Sequence, residues 1–330
     1  MHNEQVTFQP GTRNYFFQPE TRNPKLINYF CSMLSLDPKD LKIPLLHSYL
    51  LHAVAPRPIA FASTIDANGN VNLSPFSFFN IFSANPPVLI FSPARSGRTG
   101  ATKNTFDNVK EVPEVVINIV NYNLVHQASL TSAEYPKGTN EFVKAGLTEI
   151  PSVKIKPPRV FESPVQLECK VINIIELGQN GGAGNLVICE IIMIHIHEEI
   201  LDPETKMIDQ QKIDLVSRMG GDWYNRASGN ALFKIAKPLT VIGIGVDGIP
   251  SHIRNSKVLT GNHLGQLGNI PVLPTNEEVQ KYKTSGAILE VFQDYGKNHE
   301  KLDDHLHHIA ANLLDLGKVE EAWKVLLSDQ

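Results

Sequence analysis

The chain has 330 residues, 42% of them hydrophobic and 19% charged, which is apolar material for about two domains and excludes wholesale disorder. Thirty Lys and Arg against 34 Asp and Glu leave a formal charge of −4, so nothing in the composition argues for nucleic acid or an anionic membrane as partner. The richest apolar run, Leu186 to Ile196, is broken by Glu190 and His195 and is short of the ~20 residues a membrane helix needs. No secretory signal opens the chain, and its three cysteines show no metal spacing, so a reduced, cytoplasmic protein is expected.

Residues 1–35 are polar, punctuated by Pro10, Pro19 and Pro24, and read as an N-terminal extension. Regular signals begin near Leu41. PIAFASTI (58–65) alternates like a strand, and Asn68-Gly69 then predicts a tight hairpin turn, since both residues tolerate positive φ. The return arm, VNLSPFSFFNIF, carries Pro75, where a bulge or a departure from the ladder is expected. Further strands are expected at 88–92, 114–120 and 238–244. Short helices are expected over 104–110 and 123–134. The runs 165–177 and 185–196 form a long hairpin whose glycine-rich connection, GQNGGAG, reads as a mobile tip. Long strands joined by hairpins favour an antiparallel barrel or sandwich over a doubly wound sheet. Near the end, Leu302, Leu306, Ile309, Leu313 and Leu316 fall on one helical face, Gly317 stops that helix, and VEEAWKVLL starts another. This is an αα-hairpin by the simplest reading.

Several chemical signals dissolve on inspection. Gly243, Gly245 and Gly248 have dinucleotide-loop spacing, but Pro250 follows at once and no acidic residue stands near the required distance. GGAG (181–184) lacks the Lys-Ser/Thr of a phosphate loop. His195 and His197 share a strand face without a third ligand, and His305, His307 and His308 read as surface residues of the tail helix, so no metal is expected. No G-x-S-x-G elbow occurs. With no self-contained acid–base or nucleophilic set, the catalytic residues stay unknown and the chemistry points to a cofactor.

The informative block is Ala55–Asn108. Ser63, Thr64, Ser74 and Ser77 offer hydroxyls, and Phe61 and Phe76 offer flat surfaces. Arg95, Arg98 and Lys103 gather with Ser96, Thr99 and Thr105 where a helix is expected to begin. That combination suits a phosphate monoester carried on a flat, hydrogen-bonding ring.

The order PRPIAFAST, NLSPFSFF, NPPVLIFS, KNTFDN, EVVINIV, SPVQLECKV and NLVICEIIMIHI resembles the flavin reductase-like, FMN-binding split-barrel family from about Leu36 to Gly245. The resemblance implies a mainly β chain: an antiparallel Greek-key barrel with peripheral helices over 36–245, followed by a mostly helical C-terminal extension over 246–330. It implies a homodimer with FMN near the subunit interface. Arg57, Pro58, Ile59, Ala60, Ser63 and Thr64 would line the isoalloxazine, and Ser74, Pro75, Phe76 and Ser77 would flank the ring and ribityl chain. Lys103, Asn104 and Thr105, with Arg98 nearby, would meet the phosphate. Asn104 departs from the Asp of the family's K-D-T segment, so its role there is capping or phosphate-adjacent. Arg218 and Tyr224, in SRMGGDWY, resemble a stretch on the substrate side. The implied activity is NAD(P)H-dependent flavin oxidoreduction, with NADH or NADPH as donor and free flavin, oxygen or a partner oxygenase as acceptor. The alternative is a non-catalytic flavin-binding or electron-carrier protein that recruits partners through its helical tail.

Overall fold

A computed structural model describes residues 34–238, 242–284, 286–296 and 298–329. The N-terminal extension to residue 33 and the centre of the 238–244 strand candidate lie outside the described residues. The chain divides between Phe233 and Lys234 into two compact units, a little before the boundary at 245 that the sequence suggests.

In the first unit, α1 (Ile43–Ala53) precedes β1 (Ala60–Ile65), β2 (Val71–Phe76), β3 (Phe79–Ala84) and β4 (Pro87–Phe91). Then come α2 (Asn104–Glu111), β5 (Glu114–Ile119), α3 (Val125–Leu130), α4 (Glu141–Ala145), β6 (Glu149–Ile150) and β7 (Arg159–Val160). The long strands β8 (Val165–Glu176) and β9 (Asn185–Ile196) follow, and then the short β10 (Val216–Arg218) and β11 (Tyr224–Arg226). Seven strands form one antiparallel sheet in the order β2-β1-β5-β8-β9-β4-β3. Consecutive strands β2 and β3 thus lie on opposite margins, and the chain crosses from one to the other at Ser77-Phe78.

Strand alternation sorts side chains into two layers. Ala60, Ala62, Phe91, Ile117, Leu167 and Cys189 face one core with Phe106 of α2. Ile59, Phe61 and Leu73 face the other, packed against Leu124 just before α3, Ala128 within it and Phe142 of α4.

Two local expectations change. The hairpin joining β1 and β2 turns one residue earlier than Asn68-Gly69. Gly69 N donates to Asp66 O at 3.0 Å, and only Gly69 takes positive φ, at 85°. The Asp66 carboxylate fixes this shape by accepting the amides of Asn68 and Asn70, each at 2.9 Å. Nor does Pro75 bulge: the β1–β2 register runs unbroken from Ile65↔Val71 to Ala60↔Phe76. β2 is an edge strand, and Leu73 N points outward to Glu141 Oε2 at 2.9 Å. Pro75 is two residues on, so its missing N–H also faces outward and no ladder bond is lost.

The GQNGGAG connection is pinned rather than a free tip. Arg95 N donates to Ala183 O at 2.9 Å, and Gly182 N donates to Arg95 O at 3.1 Å. The Arg95 guanidinium also reaches Glu176 and Gln179, at 2.9 and 2.8 Å. His195 and His197 stay apart in role: His195 Nε2 lies 2.8 Å from the fully buried Glu168, and His197 faces Glu199 at 3.6 Å.

The second unit holds α5 (Ser251–Arg254), α6 (Gly261–Gly268), α7 (Asn276–Lys283), α8 (Gly286–Tyr295), α9 (His299–Asp315) and α10 (Val319–Leu326). They share one core, so the tail is more than an αα-hairpin. Trp323 is fully buried and donates its indole N–H to Leu267 O at 3.1 Å. The buried stripe of α9 is Leu302, Leu306, Ala310 and Leu314, whereas Leu316 lies past the helix end and is 73% exposed. His307 is buried, not superficial. The 243–248 glycines serve close backbone packing. A Cβ on Gly243 would meet Gly268 O, and Ile244 and Gly245 donate their amides to Ile270 and Gly268 carbonyls.

Candidate functional site

The loop after β4 leads into α2, whose inner face buries Thr105, Phe106, Asn108 and Val109. Two of these are polar because they tie the helix to the neighbouring strands. Asn72 of β2 donates to Thr105 Oγ1 at 2.8 Å, and Asn108 donates to Thr64 Oγ1 of β1 at 3.2 Å. With both ends of each bond buried, losing one partner would strand the other, so the start of α2 is held firmly in place.

A cavity of about 210 Å³ opens beside that helix start. Its lining carries Asn72 and Ser74 of β2, with Ser96, Thr99, Thr102, Lys103, Asn104 and Thr105. Thr131, Ser132, Glu134, Tyr135 and Glu141 line it too. The donor set is dominated by hydroxyls and amides with one ammonium, a chemistry that fits a polyol ending in phosphate. At the mouth, Lys103 Nζ meets Glu134 Oε1 at 3.0 Å and Arg98 Nη2 meets Oε2 at 3.2 Å. The Lys103 hydrogen bond and charge, reinforced by Arg98, hold the Glu134 carboxyl below its usual range. Glu141 is the opposite case. Burial raises its pKa, against the bond from Leu73 N.

Ser74, Lys103, Asn104 and Thr105, singled out in the sequence, thus border one cavity. Arg98 stands at its rim through Glu134. Thr105 is itself almost wholly buried and already accepts from Asn72. Ser63 and Thr64 do not form a joint lining. Neighbouring strand residues point to opposite faces, and both are fully buried, with Thr64 engaged by Asn108. Ala60 and Ile59 are likewise core residues of the two layers, while Pro58 is exposed and Pro75 half-buried. Phe76 packs on Phe91 with ring centroids 5.7 Å apart.

The Arg57 side chain is occupied within the protein. Its guanidinium donates to the carbonyls of Leu51, Val54 and Met219 at 2.6, 2.7 and 2.8 Å, and more distantly to Ser77 Oγ at 3.4 Å. It therefore ties the end of α1 to the β10–β11 loop, a tie completed by paired backbone bonds between Arg57 and Arg218. Burial, then the neighbouring Arg218, lowers its pKa. Arg218 stacks on the exposed Tyr224 at 4.6 Å and donates to Gly221 O at 2.8 Å.

Asn72, Thr102, Thr131, Ser132, Glu134, Tyr135 and Glu141 escaped the sequence reading. The 131–135 segment was hidden inside the helix expected over 123–134, which stops at Leu130. Its run of hydroxyls, TSAEY, was the available signal. A second, larger cavity of about 450 Å³, lined by Asn121, Phe161, His197 and Lys212 among others, involves none of the expected residues.

A family model described as a flavin reductase-like domain matches residues 52–213. An uncharacterized protein of Aquifex aeolicus is 36% identical over 191 residues, 58% of this chain and 94% of its own length. The structure of nitrilotriacetate monooxygenase component B from Bacillus cereus is similar, with a TM-score of 0.58 and 30% identity, over 62% of this chain and 99% of that one. A protein with a split barrel domain from Shewanella frigidimarina NCIMB 400 gives a TM-score of 0.52 and 29% identity, over 60% of this chain and 95% of that one.

Proposed function

The chain belongs to the flavin reductase-like family, and from that premise we propose that it binds FMN and transfers hydride from NADH or NADPH to flavin. The electrons would pass on to free flavin, oxygen or a partner oxygenase. A bound flavin supplies reversible two-electron transfer. What this chain supplies is a mount. The observation that carries the reading is the cavity uniting Ser74, Ser96, Thr99, Lys103 and Asn104 at the start of α2. Ser74, Asn104 and the neighbouring hydroxyls would hold the ribityl chain, and Lys103 the phosphate.

At about 210 Å³ the cavity is smaller than the roughly 300–1,000 Å³ of ordinary cofactor sites, so it suits only the polar end of FMN. The ring would lie outside it, where a second subunit is the natural cover. The exposed apolar side chains of the first unit support a homodimer. They include Ile81 and Phe82 of β3, Ile172 and Ile175 of β8 and Ile194 of β9. A monooxygenase component among the similar structures supports a partner oxygenase as acceptor.

The test begins with the absorbance of the purified protein and mass identification of what heat releases. Anaerobic mixing of the FMN-loaded protein with NADH and with NADPH follows. Rapid bleaching by either nicotinamide is expected. A flavin that binds but stays oxidised with both would make the protein a carrier instead, and absence of flavin binding would refute the reading altogether.

A further inference from the structure

Glu134 occupies an unusual position for a residue beside a phosphate site. Its two carboxylate oxygens are divided between two cations, Oε1 on Lys103 at 3.0 Å and Oε2 on Arg98 at 3.2 Å. That is how two oxygens of a phosphate would be shared. Glu134 lines the same cavity as Lys103, and the hydroxyls near it in sequence are spent on backbone carbonyls. Thr131 Oγ1 donates to Ala128 O and Ser132 Oγ to Ser129 O, at 2.9 and 2.6 Å. The mouth thus holds two positive groups and one negative group already paired with both. A second carboxyl, Glu141, lines the same cavity and is engaged with Leu73 N.

We propose that Glu134 is an internal stand-in for the ligand's phosphate, and that it sets how strongly the site prefers phosphorylated over unphosphorylated flavin. This rests on the reading of the cavity as the FMN phosphate site. An incoming phosphate must take Lys103 from Glu134, so binding exchanges one ion pair for another rather than creating a new one. Glu134 is half exposed, and its carboxylate can swing into water when displaced. The competition therefore weakens phosphate binding without blocking it, and the bound flavin stays exchangeable. Riboflavin, lacking the phosphate, leaves the Lys103–Glu134–Arg98 cluster intact and does not feel the competition.

The experiment is a titration of flavin-free full-length protein with FMN and with riboflavin, followed by flavin fluorescence, for wild type, Glu134→Gln, Lys103→Ala and the double variant. Glu134→Gln should tighten FMN binding about two- to fivefold, the span open to an exposed ion pair, and leave riboflavin unchanged. In the Lys103→Ala background the same substitution should do much less. Unchanged or weaker FMN binding by Glu134→Gln, or equal tightening of both flavins, would overturn the proposal while leaving the phosphate assignment standing. A Lys103→Ala variant that loses FMN and riboflavin equally would overturn the phosphate assignment, and this inference with it.

Discussion

Gly181 sits in the β8–β9 connection with its Cα against the loop that forms one wall of the cavity. A methyl group there would lie 2.9 Å from Ser96 O, 3.0 Å from Gly97 O and 3.3 Å from Gly97 C. All three neighbours are backbone atoms, so the strain cannot be relieved by rotating a side chain. The loop carrying Ser96 and Thr99 must move by a few tenths of an ångström, or the hairpin tip must lose its bonds to Arg95. Overpacking of this kind costs about 1–3 kcal/mol. For a unit of some 200 residues each kcal/mol lowers Tm by about 2–4 °C, so Gly181→Ala should melt roughly 2–12 °C below wild type. FMN affinity should fall with it, by about three- to tenfold, because up to ~1.4 kcal/mol of the strain is met by shifting the cavity wall. Gly97→Ala is the matched control, since a Cβ there meets nothing within 4 Å. Differential scanning fluorimetry and FMN titration of both variants make the comparison. A Gly181→Ala protein that melts and binds FMN like Gly97→Ala would show that the tip does not brace the loop.

Glu176 is held at about 2, against an ordinary 4.5, by hydrogen bonds from Lys110, Gln179 and Arg95. Its folded-state value is depressed, so its stabilising contribution is present above about pH 4.5 and disappears as pH falls toward 2. Glu176→Gln should therefore lower Tm at neutral pH and flatten its decline across that acid range; parallel pH–Tm curves would show that Glu176 does not contribute in this way. Trp323→Ala should destabilise the helical unit by about 3–5 kcal/mol through loss of the largest fully buried side chain among the described residues. Limited proteolysis should then degrade residues beyond about 234 and leave the β unit standing, and a cleavage pattern like that of wild type would contradict this. Phe82 is 64% exposed on edge strand β3, and Phe82→Asp should convert the proposed dimer to monomer in light scattering while reducing flavin occupancy. A wild-type protein that is monomeric with stoichiometric flavin at every concentration would dispose of the dimer.

Local sequence was enough where structure depends on local periodicity. The alternation of 58–65 was enough for β1, because a period of two has no helical solution, and the two β-branched runs 165–177 and 185–196 around a glycine-rich loop were enough for the long hairpin. Gly317 stopped α9 as expected, since its φ of 73° costs glycine little and other residues more. The hydroxyls and cations of Ser74 and Lys103–Thr105 were legible as a group because they cluster ahead of a short helix, and they do border one cavity. What the sequence could not determine was which partner each polar group finds. The Arg57 guanidinium is spent on three carbonyls, one of them 162 residues away. The roles of Glu134 and Glu141 come from afar: from Lys103, 31 residues back, and from the open edge of β2, 68 residues back. Pro75 looked disruptive until the sheet order made β2 an edge. Periodicity is set by backbone geometry within a few residues, whereas ion pairs, edge strands and cavity walls exist only once distant segments have been brought together.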